Sequence, residues 1–445
     1  MPYDILIIGG GPGGTEAALQ AGISGLKTGL ISATQIGGRA TWSSLLPSKV
    51  WLHLATHYQH SGSLARAGLS LADLGFNPEQ LRTYIREAQE SQSSIYAREL
   101  IEAGVTIHYG QALIQDAHTV QVTHEHQTYH LKSHYILIAT GSGPRFLPEI
   151  KPNGDRIIAP RLSPQLPEIP SSVIVAGGGV TGTEYAYAFA ALGAHVTLLH
   201  NTDHLLPRIE KEVANAYATY LQKQLPLEIH CNEPVKHLRQ EGAQVVAITA
   251  NGNRYLADYG FIAIGRTPDL NFYSPRLLPL AQTNEEFIQI NEYCQTSLPT
   301  IYAVGDITGA PMTVNKAFWQ ARQAIAHITG KKANPTMPPL IEAIYTHPSV
   351  AQIGTLERTP ESLIRKYPFT PLLKARLQHA SDGWVILHVQ HNSGKILGAA
   401  GWGPELPEIM ACIQGVMQAG GTMEDLTSIP FAHPTLSELL SQPFL

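Results

Sequence analysis

Tyr3-Asp4-Ile5-Leu6-Ile7-Ile8-Gly9-Gly10-Gly11-Pro12-Gly13-Gly14-Thr15-Glu16-Ala17-Ala18-Leu19-Gln20 opens the chain and decides its fold. Its first six residues form an apolar run short enough for a buried parallel strand. Gly9, Gly11 and Gly14 then make a G-x-G-x-x-G turn, and Thr15 to Gln20 begin a helix. Glycines at these places let the backbone turn tightly and approach a pyrophosphate seated on the helix N-terminus. One such turn is a weak signal. The pattern recurs: Val173-Ile174-Val175-Ala176 leads into Gly177, Gly179 and Gly182, then a helix through Tyr185 to Leu192 and a strand, His195 to Leu199. Two correctly framed copies predict two nucleotide-binding α/β units in one chain.

Both copies lack the acid expected about 20 residues on, which holds the adenosine ribose hydroxyls. Ser32 and His200 stand in its place. Ser32 can make one hydrogen bond. His200 can accept a ribose hydroxyl or face a 2′-phosphate as an imidazolium, so neither NADH nor NADPH is marked. The two are expected to bind within about tenfold of each other, with NADPH gaining as His200 charges at acid pH.

Outward from these motifs, 445 residues with 44% hydrophobic and 15% charged content describe a large folded protein of two to four domains. A formal charge of −5 is too balanced to point to nucleic acid or a membrane surface. Cys231, Cys294 and Cys412 have neither disulfide-scaffold density nor metal spacing. His53, His57 and His60 lie in a helical stretch and read as surface or packing, so no metal is expected. With neither a basic leader nor a spanning segment, the expectation is a cytoplasmic protein without membrane insertion. Two further strands end in small or acidic residues, Ile136 to Ser142 and Ile301 to Asp306. Asp306 reads equally as a ligand at a strand C-terminus or as a helix N-cap.

In order along the whole chain, these motifs resemble the class I pyridine nucleotide–disulfide oxidoreductases, flavoproteins that include dihydrolipoamide dehydrogenase, glutathione reductase and mercuric reductase. The resemblance implies an α/β fold of two Rossmann-like dinucleotide-binding domains, one for FAD and one for NAD(P), plus a C-terminal α+β dimerisation domain. It places the FAD domain at 1–148 and 268–335, the NAD(P) domain at 149–267 and the interface domain at 336–445. FAD contacts are implied at Gly9, Gly11, Gly14, Ser32, Gly38, Arg39, Lys49, Ala112, Thr140, Gly141, Asp306, Met312 and Asn315. Nicotinamide-cofactor contacts are implied at Gly177, Gly179, Gly182, Glu184, His200, Gly265 and Arg266. Lys49 and Glu184 resemble the pair beside flavin N5. His433 and Glu438 resemble the family's acid–base dyad, which reaches the partner's active site and implies a homodimer.

One departure matters. The family's redox disulfide has a Cys-x4-Cys spacing ahead of Pro-Ser-Lys. Here the frame Gly37-Gly38-Arg39-Ala40-Thr41-Trp42-Ser43-Ser44-Leu45-Leu46-Pro47-Ser48-Lys49 carries Ala40 and Leu45 at the cysteine positions. Neither can be a thiolate or carry electrons. Trp42 beside them either stacks on a ring-shaped acceptor or fills the disulfide's volume. The expectation is an FAD-dependent NAD(P)H oxidoreductase that passes hydride from nicotinamide to flavin and on to a small acceptor: quinone-like, oxygen or another nicotinamide. The alternative is a catalytically silent FAD-binding protein with a structural or regulatory role, in which the dyad is a relic.

Overall fold

The computed structural model describes residues 2–66 and 75–442. Two compact units share the chain: Met1–Pro47, Glu79–Arg145 and Gly265–Met337 form the first, and Ser48–Pro78, Phe146–Ile264 and Pro338–Leu445 the second. The helix Leu45–Arg66 carries the chain from one into the other.

In the first unit, parallel strands run in the order Thr106–Tyr109, Thr28–Ser32, Tyr3–Ile8, Gln127–Ile138 and Ile301–Ala303. Ile5 to Ile8 are all buried because both faces of the sheet are covered. Ile5, Ile7, Leu30 and Leu137 point to a layer built on Ala17, Ala18 and Ala21 of the helix Pro12–Ile23 and Ala321 and Ala324 of the helix Val314–Ile328. Alanines there bring both helices close to the sheet. Leu6, Ile8, Ile31, Ile136 and Ile138 face the other way, onto Ile114, Val120, Val122 and Phe272. The first half of Gln127–Ile138 leaves the parallel sheet to pair antiparallel with Thr119–His124, which pairs with Gln111–Asp116. Register sets Ile8 beside Ile31 and Ile138, and Ile138 beside Ala303. Gly9, Ala139 and Val304 therefore leave the sheet at one edge, where open α/β sheets hold ligands.

The second unit repeats the plan. Leu227–His230, His195–Leu199, Ser172–Ala176, Tyr259–Ile262 and Ile157–Ile158 are parallel, and the helix Val180–Ala191 follows the third of these. Its C-terminal part is an antiparallel sheet in the order Glu342–Ile344, Ser349–Gly354, Ile396–Gly403, Trp384–Gln390, Ser362–Pro368. The helix Leu406–Gln418 lays Leu406, Ile409, Met410 and Ile413 on that sheet's Ile353, Leu387 and Ala399. The two nucleotide-type sheets and the α+β layer agree with the fold class read from the sequence. Among the described residues, no helix is long and apolar enough to cross a membrane.

Candidate functional sites in the two units

In the first unit the helix Pro12–Ile23 starts at Gly11 with no side-chain cap and no acid in its first turn. Its free N–H groups and dipole favour an anion there. A Cβ on Gly11 would meet nothing within 4 Å, whereas one on Gly14 would stand 1.8 Å from the Gly9 carbonyl oxygen. The first observation leaves room for a diphosphate and the second explains the close helix-to-strand approach. Gly38 closes the loop from the side, 2.7 Å from the Gly11 Cα if it bore a Cβ. Ser32 is buried, its hydroxyl donates to the Thr34 carbonyl at 2.7 Å, and it lies against Gly10. Ala112 sits with its side chain in the core, two residues beyond Gly110, whose N–H meets the Ser32 carbonyl.

Across the same sheet edge lies a charged cluster. Ser142 donates to Asp306 Oδ2 at 2.6 Å and accepts from Arg266 Nε at 2.6 Å. Arg266 Nε is itself 3.6 Å from Asp306. Burial, and after it the neighbouring Arg39, lower the Arg266 pKa, while the Asp306 charge acts in the opposite direction. Arg39 donates to the Ser142 carbonyl at 3.2 Å and to Asp269 at 2.5 Å. Thr140 donates to the Asp269 carbonyl, and the Asp269 N–H meets the Gly141 carbonyl. Asp306 thus serves a side-chain network rather than a helix cap; it lies inside the turn Gly305–Thr308, which Val304 precedes and which has no side-chain cap. Arg266 and Gly265, placed with the nicotinamide motifs by sequence, belong to this unit. Met312 and Asn315 flank the start of the helix Val314–Ile328, with Lys316 buried beside them and donating to the Thr308 hydroxyl. Ser142, Asp269 and Lys316 were not singled out from sequence; Ser142 was visible only as part of a small-residue turn.

The segment in the disulfide frame is a short helix, Gly38–Trp42. Trp42 Nε1 donates to the Ile36 carbonyl at 2.9 Å, and Gln89 Nε2 donates to the carbonyls of Thr41 and Trp42. Ala40 is half-buried and Leu45 is 43% exposed. All three cysteines are free thiols, and burial pushes Cys294 up to about 12.

In the second unit the helix Val180–Ala191 opens at Gly179, again uncapped, with open space where a Cβ would point. Gly182 repeats Gly14: its Cβ would stand 1.8 Å from the Gly177 carbonyl oxygen. About one turn along, Glu184 is buried and its carboxylate accepts Lys49 Nζ at 2.8 Å on both oxygens. The Tyr345 N–H adds a third bond at 3.0 Å, and Lys49 Nζ lies 4.6 Å from the Tyr345 ring centroid. Tyr345 was not singled out from the sequence, where it falls within 336–445 with no motif of its own. His200 is buried, with Nδ1 accepting the Gly178 N–H and Nε2 meeting the Thr202 hydroxyl. Burial and His204 lower its pKa. Both ring nitrogens are thus engaged by the loop itself, a placement that favours neither of the two roles expected of His200 at the ribose.

His433 and Glu438 form their own pair, Nδ1 to Oε1 at 2.8 Å, with the Thr435 N–H on the other carboxylate oxygen at 2.7 Å. That backbone bond, and then His433, hold the Glu438 carboxyl below its ordinary range. His53, His57 and His60 lie along the helix Leu45–Arg66, and His60 Nε2 is 3.1 Å from His347 Nε2. Burial, with His60 adding to it, pushes His347 down to about 4. Among the described residues, no group of three or more His, Cys, Asp or Glu is placed to hold a metal ion.

Residues 3–321 match the family described as pyridine nucleotide-disulphide oxidoreductase, and residues 341–443 match that family's dimerisation domain. A dihydrolipoyl dehydrogenase of Chlorobaculum parvum is 30% identical over 99% of this chain and 96% of its own length. One from Bacillus subtilis is 28% identical over 98% and 94%. Among solved structures, LpdA from Mycobacterium tuberculosis superposes with a TM-score of 0.90 at 24% identity, over 98% of both chains. The flavoprotein disulfide reductase RclA from Escherichia coli superposes at 0.87 and 22% identity, over 99% and 98%. These two likenesses concern the fold.

Proposed function

We propose, for a chain that belongs to the pyridine nucleotide-disulphide oxidoreductase family, an FAD-dependent NAD(P)H oxidoreductase that works without a redox disulfide. Members of the family are FAD-dependent oxidoreductases that bind FAD and NAD(P)H. The uncapped helix starts at Gly11 and Gly179, each with open space before it, fit two dinucleotide diphosphates. The observation that carries the reading is a contrast within one segment. Lys49 keeps a two-oxygen ion pair with buried Glu184, while Ala40 and Leu45 stand where the family's dithiol would be.

FAD, when bound, supplies the hydride-accepting N5 and the means of handing electrons to a second compound. The residues do the rest. Gly9, Gly11, Gly14 and Gly38 shape the diphosphate seat; Thr140, Gly141, Ser142 and Asp306 hold the neighbouring edge; Gly177, Gly179 and Gly182 seat the nicotinamide cofactor. Glu184 offsets the cost of partly burying the Lys49 ammonium. On this reading 1–148 with 265–335 serve FAD, 149–264 serve NAD(P), and 336–445 pair two copies into a homodimer.

The acceptor is a small planar organic compound, quinone-like in preference to oxygen or a second nicotinamide. Ala40, Trp42 and Leu45 offer apolar and aromatic surface and no thiolate, which suits such a ring better than a charged thiol. Glu438 holds His433 at Nδ1, which leaves Nε2 to give a proton to an acceptor oxygen. Three unpaired thiols fit a cytoplasmic setting. Steady-state oxidation of NADH and NADPH with a quinone, oxygen, thionicotinamide and lipoamide tests this. Turnover with the quinone and none with lipoamide is expected; lipoamide turnover overturns it.

A further inference from the structure

We infer that Tyr345 is a positioning residue for the Lys49–Glu184 pair, acting on each member through a different part of itself. The inference rests on the reading that this pair serves the reaction. The Tyr345 N–H donates to Glu184 Oε1 at 3.0 Å, the same oxygen that accepts Lys49 Nζ at 2.8 Å. The carboxylate is therefore fixed by a backbone donor that no side-chain rotation can remove. Its other oxygen takes the second Lys49 contact at 2.8 Å. The Tyr345 ring then approaches the ammonium itself, 4.6 Å from Nζ to centroid, within reach of a cation–π attraction.

The two contacts have different consequences. Glu184 is buried, so its position is set by packing and three hydrogen bonds. The Lys49 side chain is 32% exposed and ends a flexible four-carbon stem. An ion pair alone leaves such a head free to swing about the carboxylate. A ring on a second side narrows that freedom. Ring and amide come from one residue of the loop after the strand Glu342–Ile344, so both members of the pair are indexed to the same piece of backbone. The Tyr345 hydroxyl takes no part in either contact. Burial, with the Glu184 and Glu408 charges, raises its pKa. That the ring matters and the hydroxyl does not separates this role from proton transfer by the phenol.

Tyr345→Leu removes the ring and keeps the amide; Tyr345→Phe keeps both. Tyr345→Met, unbranched, serves as a second ring-free variant if the leucine form does not fold. In wild-type holoenzyme we expect NADH to bleach the flavin band, and in the ring-free variant to do so about two- to fivefold more slowly. The NADH Kd should be unchanged and Tyr345→Phe should match wild type. Independently of turnover, the ring should shift the NMR resonance of reductively methylated Lys49 upfield in the wild-type and Phe proteins. Leu and Met should lose that shift. A ring-free variant with wild-type rate and resonance overturns the inference, as does a Phe variant that behaves like Leu. Failure of wild type itself to be reduced by either nicotinamide would instead overturn the function proposed above.

Discussion

The Nδ1 atom of His200 accepts the backbone N–H of Gly178 at 3.0 Å, so the residue at the ribose position of the second fingerprint is tied to the fingerprint itself. A ring accepting at Nδ1 carries its proton at Nε2, where Thr202 Oγ1 lies 2.7 Å away and passes its own hydrogen to the His204 carbonyl. Protonating Nδ1 would set two N–H groups against each other. Burial first, and His204 second, lower the His200 pKa from 6.5. The folded chain then binds fewer protons than the unfolded one below that value, so the loop is secure above it and weakens as pH falls through the window. NADH and NADPH affinities should fall together below about pH 6.5. His200→Asn, with an acceptor oxygen near the Nδ1 place, should flatten the profile. Fluorescence titration of each nucleotide at several pH values checks this; a selective gain for NADPH at acid pH would point to a phosphate contact instead.

Gly14 and Gly182 make equivalent close approaches in different units, and their alanine variants should separate the two cofactors. A Cβ at 1.8 Å from a carbonyl oxygen forces the helix off its strand, an overpacking cost of about 1–3 kcal/mol or more. Gly14→Ala should purify with at least tenfold less flavin. Gly182→Ala should stay yellow yet be reduced poorly by either nicotinamide. Flavin absorbance per chain and anaerobic reduction give both answers.

Ser142 stands between Arg266 and Asp306, donating to one and accepting from the other at 2.6 Å. Ser142→Ala leaves both half-buried charges without that bridge, a loss of about 1–3 kcal/mol. The FAD Kd should rise about tenfold or more, measured by quenching of flavin fluorescence on reconstitution. An unchanged Kd would remove this cluster from the FAD seat.

His433→Gln tests whether the C-terminal pair acts on the acceptor. It should leave the bleaching of flavin by NADH unchanged and slow the return of colour on adding a quinone by about 10²-fold, in the range of general acid catalysis. Equal rates in both halves would mark the pair as interface structure.

The strand–glycine–helix units were legible because their signal is local: Ile5 to Gly14 and Val173 to Gly182 carry period, turn and helix start within a dozen residues. The pairing of Lys49 with Glu184 was legible only through resemblance, since nothing local joins positions 135 residues apart. The same distance problem hid Ser142 and Asp269. Each is an ordinary polar residue until folding brings it against Asp306 or Arg39. His200 failed differently. Its place at the end of a strand is a local signal, but a side chain's letter does not say which nitrogen its neighbours occupy. Tyr345 was missed because half of its role belongs to a backbone N–H, which every residue but proline has.

Anaerobic rapid mixing of the FAD-bound protein with NADH and NADPH, followed across the visible spectrum, tests the central claim most directly. With Ala40 and Leu45 in the dithiol positions, the flavin band should bleach without a long-wavelength thiolate–flavin absorbance, stay bleached with lipoamide, and recover when a quinone is added. No bleaching with either nucleotide, or recovery with lipoamide, would contradict the account.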